Sequence, residues 1–69
     1  MANRIPRHFN YLIVESLVEN NAGKRGRFYK VTRDPFNGYL MVDLINGKRW
    51  APFVAQLRNA DLYRIRQIA

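Results

Sequence analysis

The sequence predicts an all-β domain: five short antiparallel strands curled into a small, partly open barrel, with one short 3₁₀ turn before the last strand. Three observations predict it. Short runs rich in β-branched and aromatic residues are separated by clusters of Gly, Pro, Asn and Asp, the punctuation of an antiparallel sheet. Two turn signals, DPFNG at 34–38 and Asn46-Gly47, frame the run YLMVDLI. An odd number of strands and the small core of a 69-residue chain suit a strongly curved, partly open barrel.

Taken in order, residues 1–8 read as a basic arm, because Pro6 interrupts strand pairing and Arg4, Arg7 and His8 favour water. A single domain then runs over 9–69. In 9–18, Phe9, Ile13 and Leu17 recur at helical spacing, as do Val14 and Val18, and Gly23 would close such a helix. The run is short and rich in β-branched and aromatic residues, so a strand is the preferred reading. Residues 19–26, ENNAGKRG, form a polar loop, and 27–33 a strand. In the 34–38 turn Pro35 presets φ for the second position, while Asn37 and Gly38 tolerate positive φ. Residues 39–45 form the clearest strand, and Asn46-Gly47 predicts a two-residue type I′ hairpin. Residues 48–55 return, with Pro52 marking an edge or bend; 56–61 make the single helical or 3₁₀ turn, and 62–68 the last strand.

That succession of strand, basic glycine loop, three-stranded meander, single turn and final strand resembles an SH3-like barrel over about residues 10–68. Within it, AGKRGRFYKV at 22–31 is similar to the KOW motif of ribosomal and NusG-type transcription proteins: a glycine, a basic pair, a second glycine, then a strand. The resemblance implies nucleic-acid binding through this loop. SH3-like barrels also serve as protein adaptors, and a fold does not choose between the two uses.

Composition narrows the function. Twelve Lys and Arg against five Asp and Glu give a net charge of +7, which favours nucleic acid, RNA or DNA, or an acidic protein surface. A hydrophobic content of 48% argues against disorder. There is no cysteine, and the one histidine, His8, cannot build a zinc site. The acids Glu15, Glu19, Asp34, Asp43 and Asp61 are scattered, with no pair spaced for acid–base chemistry. A non-catalytic binding module without a cofactor is therefore expected. No apolar run approaches the roughly 18–20 residues that span a bilayer, and MANRIPRH lacks a signal-peptide core, so the chain reads as cytoplasmic with no membrane partner.

A type I′ turn at Asn46-Gly47 would set Ile45 opposite Lys48 and Asp43 opposite Trp50. One face then collects Leu40, Val42, Leu44, Ala51 and Phe53 as core. Pairing Asp34 with Tyr39 adds Tyr29 and Val31 to it and sets Lys30 opposite Asp43, a favourable cross-strand pair. The predicted core is Val14, Val31, Leu40, Val42, Leu44, Phe53, Leu57 and Ile65. Trp50 would face outward near Phe28, Tyr39, Met41 and Lys48, as a platform on which bases stack while cations meet phosphates. The competing reading packs Trp50 beneath the arm or a curled edge strand. The candidate surface for nucleic acid or a partner is Lys24, Arg25, Arg27, Phe28, Lys30, Tyr39, Met41, Lys48, Arg49 and Trp50. Its loop, residues 23–27, offers cations and glycine-freed backbone amides for phosphates, without the ending of a P-loop. The protein-partner alternative is an adaptor on a larger machine such as RNA polymerase or a ribosome.

Overall fold

The computed structural model describes residues 3–20, 23–34, 36 and 38–69. Residues 12–16 alternate buried and half-buried positions, with Leu12, Val14 and Ser16 inward, and form strand β1 (Leu12–Ser16) rather than a helix. The meander follows as β2 (Phe28–Asp34), β3 (Gly38–Asp43) and β4 (Arg49–Trp50), then a short helix α1 (Val54–Arg58) and β5 (Tyr63–Ile68). The sheet order is β4-β3-β2-β1-β5, with every neighbour antiparallel. This is the five-stranded SH3-like arrangement, curled like a barrel but not closed by hydrogen bonds between β4 and β5. A bulge helps the curl: Ile13 opposes Gln67 and Val14 opposes Ile65, leaving Arg66 as the extra residue of β5. Among the described residues no helix is long and apolar enough to cross a membrane.

The inner face buries Leu12, Val14, Tyr29, Val31, Tyr39, Met41, Leu57 and Tyr63, with Ile5, Phe9, Trp50, Leu62 and Ile65 packed against them. Val14, Val31 and Leu57 are thus core, and Ile65 flanks it. The other half of the expected core is corrected. Leu40 and Val42 are only half-buried, and Leu44 and Phe53 are exposed. The cause is one residue of register. Asp34 pairs with Gly38, not Tyr39, so Tyr29 faces Asp43 and Lys30 faces Val42. An odd shift turns every β3 side chain over, and Tyr39, Met41 and Asp43 point inward. The Lys30–Asp43 pair that favoured the other register is a surface pair, contributing only about 0–1 kcal/mol. Burying Tyr39 and Met41 contributes more.

The second hairpin also differs. Asp43 donates its backbone N–H to Lys48 O (2.9 Å) and its carbonyl accepts from Gly47 N–H (2.8 Å). The result is a four-residue turn over 44–47 in place of a type I′ turn. Only Gly47 takes positive φ there, at 72°. Asp43 explains the choice: its side-chain Oδ1 accepts from Ile45 N–H (2.8 Å) and Asn46 N–H (3.4 Å). The return strand shrinks to two residues because Pro52, buried and without an N–H, leads the chain off the sheet. The helix begins earlier than 56–61 and is α rather than 3₁₀ in its bonding, with Leu57 N–H on Phe53 O (3.2 Å). Gln56 Oε1 accepts from Phe53 N–H (3.3 Å) at its start. In the first turn Gly38 has φ 96°, whereas Pro35 and Asn37 lie outside the described residues.

The basic arm is tied down. Asn3 donates its N–H to Arg58 O (2.7 Å) and its Nδ2 to Leu57 O (3.2 Å) and Tyr63 O (2.8 Å). Farther along, Arg33 Nη2 donates to Arg7 O (3.0 Å), and its guanidinium sits over the Phe9 and Tyr39 rings.

Candidate nucleic-acid interface

The expected platform divides into three groups. Tyr39 and Met41 are buried in the core and present nothing to a ligand. Phe28, Lys30 and Arg25 lie on the outer side, Phe28 and Lys30 on the outer sheet face and Arg25 in the loop beside it. Lys24, Arg27, Lys48, Arg49 and Trp50 gather around one cleft between the basic loop and the β3–β4 turn. Two segments about twenty residues apart in sequence thus meet, because β2 follows the loop directly and lies beside β3.

Trp50 does not stand outward. It is half-buried against the core, with its ring T-shaped to Tyr29 at 5.1 Å between centroids. Its Nε1 is buried and has no hydrogen-bond partner. The packing reading of this residue is therefore the correct one, with β2, not the arm, supplying its ring partner. The register explains it: Trp50 pairs with Met41, which is fully buried, so the two share the inner face.

The cleft encloses about 380 Å³ and is lined also by Asn20, Gly23, Tyr29, Asp43 and Asn46. Its single acid, Asp43, is committed internally: Oδ2 meets Arg27 Nη1 at 3.2 Å while Oδ1 holds the turn. Among the described residues Lys24, Lys48 and Arg49 form no ion pair. Their charges consequently face the cleft uncompensated.

The loop backbone is less available than its glycines suggest. Lys24 N–H donates to Tyr29 Oη (3.0 Å), Arg25 N–H to Glu19 Oε2 (3.0 Å), Gly26 N–H to Ser16 O (2.8 Å) and Arg27 N–H to Lys24 O (2.9 Å). No amide from 24 to 27 is left for a phosphate, which corrects the expected backbone cradle. Gly26 provides the turn, at φ 81°, and Gly23 provides close approach to β1. What the loop offers an anion is side-chain charge.

Sequence reasoning missed the part played by Asp43, which links loop and turn. The signal was present: an Asp four residues before a glycine, at a strand end, commonly caps the turn that follows. It also missed the outer-face apolar cluster of Ile13, Leu44 and Ile45. No protein-family model, no curated protein and no solved structure matches the chain.

Proposed function

We propose that the protein is a non-catalytic module that binds single-stranded nucleic acid, RNA or DNA, by its phosphates in this cleft. One observation carries the reading: Lys24, Arg27, Lys48 and Arg49, from two segments far apart in sequence, line one polar cleft whose only acid is already engaged. The +7 net charge and the KOW-like spacing of residues 22–31 support it. With Trp50 and Tyr29 packed inward, no ring of the cleft serves as a stacking platform. Binding is then dominated by charge and tolerant of sequence.

The test is fluorescence anisotropy of labelled oligo-dT and oligo-U across a salt series. Three free cations meeting phosphates give a log–log salt slope of about −2 on a single strand. Replacing Lys24, Lys48 and Arg49 together by Ala is expected to remove most of that slope while circular dichroism stays unchanged. A slope that survives the triple change would rule the cleft out.

A further inference from the structure

On the opposite side of the sheet, the register sets out the outer face row by row. Leu44 lies beside Phe28, Phe28 opposes Glu15, and Glu15 opposes Arg64. In the next row Val42 opposes Lys30, Lys30 opposes Ile13, and Ile13 opposes Gln67. Apolar side chains thus cluster beside the β3–β4 turn with cations interleaved around them.

A groove of about 580 Å³ opens there, walled by Ile13, Phe28, Leu44 and Ile45, with Arg25 and Arg27 at its rim. Its large side chains are unusually exposed: Phe28 by 42%, Leu44 by 52% and Ile45 by 75%. The turn is not loose. Asp43 fixes it through Ile45 N–H, Asn46 N–H and Gly47 N–H, and so holds Leu44 and Ile45 in water. A rigid turn that keeps two aliphatic residues outside, above an exposed Phe, has the form of a binding groove for a large apolar anchor.

We infer that this groove takes an acidic amphipathic segment of a partner protein, with an aliphatic or aromatic anchor between Phe28 and Ile45 and carboxylates against the cationic rim. Charge decides the occupant. Among the described residues two acids lie on this sheet face: Glu15, whose Oε1 is taken by Arg66 Nε (2.7 Å), and Asp34 at the far end of β2, whose Oδ1 accepts from Phe36 N–H (2.8 Å). Arg25, Lys30 and Arg64 form no ion pair there. Two copies of the chain, each at +7, would bring like charges together around the groove. Nucleic acid fits the walls poorly, since three of the four are aliphatic and cannot stack with bases. The inference is independent of the cleft reading, and either stands if the other fails.

The test is selection of a displayed random-peptide library on the intact chain, followed by titration of the enriched synthetic peptides. The enriched sequences are expected to flank Leu, Ile, Phe or Trp with Asp and Glu. They should shift the methyl signals of Ile13, Leu44 and Ile45, and lose about tenfold or more in affinity to Ile45→Asp and to Arg25→Glu. Both positions are exposed, so circular dichroism should show the variants folded. Several outcomes overturn the inference: no enrichment, enriched peptides without acids, or affinity that Ile45→Asp leaves intact. So would oligonucleotides that shift these methyl signals, or a dimer in sedimentation that Ile45→Asp dissociates.

Discussion

Gly23 is buried where the basic loop crosses β1, and a Cβ there would lie 2.9 Å from Ser16 Oγ and 3.1 Å from Tyr29 Oη. Gly23→Ala therefore pushes the loop off Tyr29 and strains its bond to Lys24 N–H, at a cost of roughly 1–3 kcal/mol by urea unfolding. Asp43 supports a second junction, with its carboxylate shared between Arg27 and the turn. Asp43→Ala is expected to cost about 3 kcal/mol, because it strands Arg27 and the turn amides together. Tyr63 contributes a pH dependence at the alkaline end. Burial, and secondarily the neighbouring Tyr29, raise its pKa above the usual tyrosine value. A raised pKa keeps the phenol neutral in the fold, so this stability is fully present below the unfolded-state pKa of about 10 and lost as pH rises through the folded value. Stability measured by urea unfolding from there upward should fall more steeply for the native chain than for Tyr63→Phe.

At the scale of elements, the register of two hairpins decides which side chains form the core. Met41→Ala should cost about 2–5 kcal/mol, because Met41 is fully buried. Leu44→Ala, on the exposed turn, should stay within about 1 kcal/mol. Equal losses would contradict the observed register. Gly47→Val should cost about 1–2 kcal/mol, since φ of 72° is strained for a β-branched residue. These elements also show what was legible in the sequence. The strands were, because alternation and turn residues are local signals. So was the shared face of Met41, Asp43 and Trp50, since the second hairpin shifted by an even number of residues. What could not be read was which way that face points. One residue in the first hairpin turns it over, and a Lys30–Asp43 pair is too weak to outweigh buried Tyr39 and Met41. The candidate site divided for the same reason: Lys24, Arg25, Arg27 and Lys48 lie in loops that stay outside under either register, Phe28 and Lys30 lie on the outer face, and Tyr39 and Met41 went into the core with Trp50 packed against it.

For the whole molecule, the sheet separates two surfaces of different chemistry. A polar, cation-lined cleft lies between loop and turn, and an apolar groove with a cationic rim lies on the outer face. Arg27 and the β3–β4 turn border both, so the same Asp43 contacts hold each in shape. The most direct test of the nucleic-acid reading is a two-dimensional ¹H–¹⁵N titration with oligo-dT at low salt. Trp50 is the only tryptophan, so its indole N–H gives one assignable signal inside the cleft. The predicted result is that this signal and the amides of 24–27 and 46–50 shift together and saturate, while Ile13 and Gln67 do not move. Shifts confined to the outer face, or none at all, would contradict it.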